Sequence, residues 1–327
     1  MNPKVSVIVP IYKVRDFIAR CAHSLLGQTL QDIEYIFVDD STPDDSMDIL
    51  SNVIKAYPKR QDQIHILSHD VNKGLPSARN TGLSVALGEY IFHCDSDDFV
   101  ETDMLEKMIY AAEAVDADLV WCDWYLSFEA KERYMKEPAG KTPEDVLNNI
   151  LSGIMKYNVW NKIIRRSVYV SSGVQFPSGY GMGEDMTIIR LLPHIRSVAY
   201  VGQALYHYVR TNTEAFTFRI SDKHLAALRY NTQMTVDCLR SFYEDKYDRE
   251  IAYFLQNVKL PFIMTDNTGD YILWTQLYPE SNRYIWGNKK ISFRTRILQY
   301  CASIRLFVVI RAYNFILKHI IYGLIYR

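Results

Sequence analysis

The sequence predicts an α/β protein: a mostly parallel sheet with helices on both faces, followed by a helical C-terminal extension. Two observations predict the sheet. Short β-branched runs alternate with helix-length segments through residues 4–122. Several of these runs also stop abruptly at Pro or Asp, as buried strands do where they reach a sheet edge. The extension rests on a third: from Ser221 onward the patterning is helical.

The elements follow in order. Val5–Val9 is a strand closed by Pro10, and Phe17–Leu26 has helical periodicity. Ile33–Val38 is the second strand. It runs into Asp39-Asp40-Ser41-Thr42-Pro43-Asp44, with Thr42 suited to cap a helix and Pro43 to open it. Ile64–Ser68 is a third strand, Leu75–Leu87 a helix and Tyr90–Phe92 a fourth strand. A helix near Asp103–Val115 and a strand at Asp118–Cys122 complete the run. In parallel sheets, ligands bind beyond the carboxyl ends of strands. Pro10, Asp39-Asp40 and Asp95–Asp98 all fall at such ends, so three separate segments point to one edge.

The densest of them is Glu89–Val100, an apolar strand that ends in Asp95, Asp97 and Asp98. Carboxylates crowded there repel one another and resist desolvation. Hard oxygen donors in a short cluster suit Mg²⁺ or Mn²⁺, ions that keep part of their shell for phosphate oxygens. The plainer alternative is an Asp-rich turn in which Asp97 or Asp98 caps the next helix. Arg79 falls in the first turns of the helix after Gly74-Leu75-Pro76-Ser77, where the helix dipole opposes it. A partner anion or planar base explains it better than solvent, though a surface ion pair is the alternative.

Composition sets outer limits. The chain has 327 residues, enough for one large domain or two unequal ones, and a formal charge of −1 that offers nothing to nucleic acid. Its five cysteines are scattered and lack metal-ligand spacing, which predicts free thiols in a reducing compartment. The first residues carry no signal-peptide pattern, and no apolar run approaches the roughly 20 residues of a membrane span.

Four ordered motifs carry a resemblance: Val5–Tyr12; Val38-Asp39-Asp40-Ser41; Asn72-Lys73-Gly74 with Ala78–Gly82; and Asp95-Ser96-Asp97-Asp98. In this order they resemble the family 2 glycosyltransferases of the GT-A fold. Further on, Trp160-Asn161-Lys162 with Arg165-Arg166, Gly183-Glu184-Asp185, and Tyr206-His207-Tyr208 with Arg210 resemble that family's later motifs. The similarity covers residues 4–215. It implies that Pro10, Tyr12, Asp39, Asp40, Arg79, Asp95 and Ser96 hold the nucleotide. It implies further that Asp95 and Asp97 meet a divalent ion, Mn²⁺ or Mg²⁺, and that Asp185 is the general base. Trp160, Lys162, Glu184, His207 and Arg210 are implied contacts of acceptor or diphosphate. The family usually has Asp-Asp-Gly-Ser-Thr-Asp, and this chain lacks that glycine. The path after Asp40 is therefore open, as is the choice between Asp39 and Asp40 for the base. No Gln-x-x-Arg-Trp motif is present, which argues against a processive synthase.

The chemistry can be reasoned without the family. A diphosphate leaving group develops charge that a divalent cation offsets. An attacking hydroxyl needs a carboxylate within reach. Asp185 follows a run with three glycines, Gly179, Gly181 and Gly183, and opens a helix. The alternative for it is a capping role at the helix N-terminus.

The expected organisation is a catalytic domain over residues 1–218 and a helical region over 219–327. Residues 293–327 are expected to form one amphipathic helix, with Arg296, Gln299, Ser303, Arg311, Asn314 and Lys318 on a polar stripe. No acidic residue follows Glu280, which suits an anionic membrane surface; a core or oligomer-interface helix is the alternative. The expected partners are a nucleotide-sugar donor (a UDP-sugar), a glycan or lipid-linked acceptor and the cytoplasmic face of the cell membrane, with homodimerisation left open. The rival functions are a nucleotidyltransferase and a non-catalytic membrane-associated scaffold.

Overall fold

The computed structural model describes residues 3–129, 131–210, 221–317 and 319. The chain forms two compact units, Met1–Val146 with Tyr157–Thr235, and Leu147–Lys156 with Val236–Arg327. The division drawn at 218/219 follows the motifs. By contact, the first unit also takes residues 219–235 and the second takes 147–156.

The first unit holds nine strands among the described residues: β1 Val5–Ile11, β2 Ile33–Asp39, β3 Ile64–Ser68, β4 Tyr90–His93, β5 Phe99–Val100, β6 Leu119–Ser127, β7 Glu132–Met135, β8 Lys162–Arg165 and β9 Val198–Val209. They lie in the order β3-β2-β1-β4-β8-β6-β9-β5, with β7 against β6. The pairings among β3, β2, β1 and β4 are all parallel. Helices α1 Ile18–Leu26, α2 Ser46–Lys55, α3 Leu75–Val85 and α4 Met104–Val115 alternate with them. The helices α5 Pro143–Leu151, α6 Arg166–Ser172, α7 Thr187–Leu191 and α8 Asp222–Tyr243 follow. This is the α/β arrangement the sequence predicts.

β1 is buried along its whole length, as a strand covered on both faces must be. It runs through Pro10 to Ile11 rather than stopping at the proline. At Gly82 an added Cβ would lie 2.5 Å from Ile8 Cγ2, so the glycine is what seats α3 close against β1. β8 enters antiparallel between β4 and β6, so its first residue, Lys162, lies at the carboxyl end of β4.

Two local expectations change. Thr42-Pro43 does not open α2, which starts at Ser46. Asp44 Oδ1 instead accepts from Thr42 Oγ1 at 2.7 Å, Ser46 Oγ at 2.6 Å and Ser46 N at 3.2 Å, and this knot holds the segment as a loop. Ser41 takes φ 57°, the left-handed conformation for which the family's usual glycine is suited.

In the second unit, α9 Asp248–Lys259, α10 Thr268–Gln276, α11 Phe293–Ser303 and α12 Phe307–Ile316 pack together. Tyr271 and Trp274 are fully buried here and belong to this unit's core. The tail is not one helix. It breaks at Ile304–Leu306, where Arg305 takes φ 59°. Gln299 and Asn314, both expected on the exposed polar stripe, are buried. Asn314 Nδ2 donates to the carbonyls of Ile263 and Thr265 and to the Tyr271 hydroxyl. Lys318 and residues 320–327 lie outside the described residues.

Candidate active site

The tips of β1, β2 and β4 form one edge, because the strands run parallel and in register. At the β2 tip, Asp39 and Asp40 part company. Asp40 is buried, with both oxygens engaged: Oδ1 with His69 Nδ1 at 2.6 Å and Lys73 N at 2.8 Å, Oδ2 with Gly74 N at 2.8 Å. It therefore shapes the 69–74 loop and has its back to the edge. Asp39 is half-buried and uses one oxygen, Oδ1, to accept from Thr42 N at 2.8 Å. Tyr12 stands exposed on the neighbouring loop, above buried Pro10.

At the β4 tip the three aspartates take different roles. Asp98 is buried. Its Oδ2 accepts from the Tyr206 hydroxyl and its Oδ1 from Val209 N, each at 2.7 Å. Burial, then Asp97 and Asp95, push its pKa well above the ordinary carboxylate range. It is a strut to β9, neither a ligand nor a cap for α4. Asp95 is partly exposed and accepts from Arg79 Nη2 at 2.9 Å. Asp97 is half-buried, and Ser96 is buried between them.

Arg79 lies at the centre. It is 1% exposed, on the face of α3 that Gly82 brings down to the sheet. Its Nη2 faces Asp95 at 2.9 Å, Glu184 at 3.6 Å and Asp185 at 4.0 Å, while Nε and Nη1 are buried with no hydrogen-bond partner among the described residues. Three carboxylates from segments about 90 residues apart thus share one guanidinium. Burial, with the neighbouring carboxylates adding to it, raises the pKa of both residues of the Glu-Asp pair. Burial, then Asp185, push Glu184 well up. Burial pushes Asp185 to about 6 even though Arg79 pulls against it. Asp185 Oδ1 is buried without a hydrogen-bond partner. Of the two partners expected for Arg79, an anion or a planar base, the structure supplies the anion: the site's own carboxylates.

Asp185 lies in a short 3₁₀ turn, Glu184–Met186, that runs into α7. The glycine run before it is tied down. Asn231 Nδ2 on α8 donates to the carbonyls of Tyr180 and Met182, each at 2.9 Å, and Tyr230 stacks on Tyr180 at 3.9 Å. Asn80 grips the main chain of Phe176 both ways, Nδ2 to O at 2.8 Å and N to Oδ1 at 2.9 Å. The Phe176 ring lies 5.6 Å from the Arg79 guanidinium.

Lys162 is buried, donating to Asn158 O and Asn161 Oδ1 at 2.7 Å each; burial lowers its pKa to about 8, with Glu137 and Asp185 pulling back. Trp160 is core, stacked on Tyr206 and Tyr208 at 4.5 and 5.4 Å. His207 points the other way, as alternation along β9 requires. It is held by Glu132 at 2.7 Å and Glu101 at 3.0 Å and stacked on Phe99 at 4.1 Å, so it is a sheet staple and no contact of this cluster. Arg210 is the exposed last described residue before 221. Sequence reasoning missed Asn80, His69, Asn231 and the Tyr206 hydroxyl. Asn80 and Tyr206 stood inside recognised motifs, whereas nothing in the pattern marked His69 or Asn231.

Among the described residues, no group of three or more His, Cys, Asp or Glu side chains is arranged to enclose an ion. The donor set nonetheless fits one. Mg²⁺ and Mn²⁺ in nucleotide sites take one or two carboxylates and fill the shell with water and phosphate oxygens. Asp95 keeps one oxygen clear of its Arg79 bond, and the local charge is negative.

Residues 6–177, more than half of the chain, match the model "Glycosyl transferase family 2". The chain is 34% identical over 225 residues to an uncharacterized glycosyltransferase, EpsJ, of Bacillus subtilis, a match that covers 66% of this chain and 64% of that one. With a putative glycosyltransferase of the same organism, EpsH, identity is 33% over 63% of this chain and 61% of the other. The matched stretch is thus under two thirds of the length of these relatives. In fold, the chain is similar to S. aureus TarS 1–349 in complex with UDP-GlcNAc, with TM-score 0.70, 17% identity, and 96% of this chain and 91% of that one covered. The strand-tip aspartates, the buried arginine and the Glu-Asp turn stand within or just beyond the matched stretch, and the chain belongs to glycosyl transferase family 2.

Proposed function

We propose that this chain transfers one sugar from a nucleotide-diphosphate donor, a UDP-sugar, to a hydroxyl of a glycan or lipid-linked acceptor, with inversion at the anomeric carbon. The observation that carries the reading is the meeting of Asp95, Glu184 and Asp185 on Arg79. It joins the strand edge, where a nucleotide would lie, to the turn that bears the base.

Asp39 and Tyr12 receive the base and ribose, with Asp39 Oδ2 as the acceptor for a ring N–H, since Asp40 has no oxygen to offer. Asp95 and Asp97 hold a divalent ion that, when bound, offsets charge on the departing diphosphate. Asp185 takes the proton from the acceptor hydroxyl as its oxygen attacks the anomeric carbon and the bond to the diphosphate breaks. A pKa of about 6 suits a general base, since the group is ionised at neutral pH yet more basic than an ordinary aspartate. Arg79 fixes the base relative to the ion-binding carboxylate. One displacement needs no enzyme nucleophile, and it converts an α-linked donor to a β-linked product.

Incubation with Mn²⁺ and a library of nucleotide sugars, read by mass spectrometry, tests the reading. Release of UDP from one donor that stops in Asp97→Ala supports it. Absence of nucleotide binding favours the scaffold, and an α-linked product by NMR removes the single-displacement mechanism.

A further inference from the structure

The last 47 residues, 281–327, carry nine Lys or Arg and no Asp or Glu. The preceding 280 hold 28 basic and 38 acidic residues, so nearly all of the chain's uncompensated positive charge sits in this segment. Within it, α11 and α12 are apolar on more than one side. The inner side of α12 is accounted for: Ile310 and Asn314 are buried, and Phe307 meets Tyr271 at 5.6 Å. Among the described residues the outer side is left exposed, apart from the Phe315 ring lying 4.5 Å from that of His319. Val308, Ala312 and Phe315 recur at helical spacing on exposed positions with Arg311 among them, Val308 at 68% and Phe315 at 61% exposure. Phe293, Ile297 and Tyr300 on α11, followed by Ile304 just past its end, repeat that spacing. Phe293 is 62% exposed, and the exposed Trp286 lies beside both aromatic rings at 6.1 and 5.4 Å. Leu306 and Arg305 are exposed at the turn between the helices.

A helix apolar on both sides requires a cover on each. We infer that the outer faces of α11 and α12 dock on an anionic lipid surface. Charge decides among occupants. A second copy would bring the same basic segment against itself, whereas a bilayer with anionic headgroups neutralises it. Exposed Trp, Tyr and Arg around aliphatic side chains is the composition of a water–lipid boundary. Among the described residues no helix is long and apolar enough to cross a bilayer, so the mode is surface binding.

The test is sedimentation of the full chain with vesicles of phosphatidylglycerol and phosphatidylcholine, against phosphatidylcholine alone. The expected result is binding to the anionic vesicles that weakens as salt is added. The double variant Val308→Asp/Phe315→Asp should bind about tenfold or more weakly, from lost apolar burial and added repulsion. Arg305→Gln/Arg311→Gln should lose roughly fivefold per charge. Neither pair is among the candidate site residues, and circular dichroism with thermal melting verifies that the variants fold. Wild type left in the supernatant overturns the inference. So does undiminished binding by the double variants. A wild-type dimer in solution that dissociates in the Asp variant also overturns it, by assigning the face to a second copy.

Discussion

Two buried cations, one in each unit, show opposite ways of keeping a charge out of water. Lys259 in the second unit is fully buried and surrounded by neutral acceptors. Its Nζ donates to Leu277 O at 2.8 Å, Tyr278 O at 3.2 Å and Asn282 Oδ1 at 2.7 Å, and it sits 4.0 Å over the Trp274 ring. Burial lowers its pKa to about 7. All three of its protons are used, and it ties down the carbonyls that follow α10. Arg79 has three carboxylates around it, yet two of its nitrogens are without hydrogen-bond partners. Lys259 is satisfied by neutral acceptors where it stands, whereas Arg79 gathers three carboxylates that repel one another and, among the described residues, leaves two of its own nitrogens unbonded.

The comparison is sharpest in the variants. Asp185→Asn should lower kcat by ~10³-fold while UDP affinity and folding stability hold or improve, since it removes one of three crowded charges. Steady-state kinetics beside thermal melting checks both halves. Arg79→Met strips the carboxylates of their partner and should cost roughly 3–5 kcal/mol of stability together with transfer, read by urea unfolding and UDP release. Lys259→Met is expected to cost about 1–3 kcal/mol through its stranded carbonyls but leave kcat unchanged. Equal losses of activity in these two variants would erase the distinction.

Acidity gives a smaller, graded effect. As the proposed general base Asp185 would act ionised, so kcat/KM should be level above about pH 6 and fall tenfold per pH unit below it. Because its folded pKa lies above its ordinary 3.8, the folded state holds the extra proton between those values. This group's contribution therefore makes stability decline as pH rises from about 4 to about 6, and Asp185→Asn should flatten that slope. The smallest change is at the β2 tip. Ser41→Gly relieves a left-handed serine and should gain up to about 1 kcal/mol, measured as a raised Tm.

Much of the first unit was legible because buried parallel strands write continuous β-branched runs and stop at the edge that matters. Val5–Val9 and Tyr90–Phe92 show this directly. Roles within the edge were less legible. Asp39 and Asp40 are identical in type, and only the return of the 69–74 loop, a long-range event, commits Asp40 to backbone donors. Arg79 was expected to face an anion or a planar base because the dipole of α3 opposes it. The carboxylates that answer it come from Glu184-Asp185, far along the chain. His207 and Tyr206 are neighbours in one motif, and strand alternation alone sends them to opposite faces. The tail failed for another reason: its hydrophobic spacing continues through Arg305, and a single left-handed residue leaves no trace in periodicity.

The clamp between Asn80 and the main chain of Phe176 has a mechanical corollary. Asn80 directly follows Arg79, and Phe176 lies in the segment that leads to Asp185. Any hinge-like excursion of that segment must either rupture a paired amide or drag the guanidinium with it. On the proposed reading this clamp gears the donor side to the acceptor side, so an acceptor that shifts the segment would register at the leaving group.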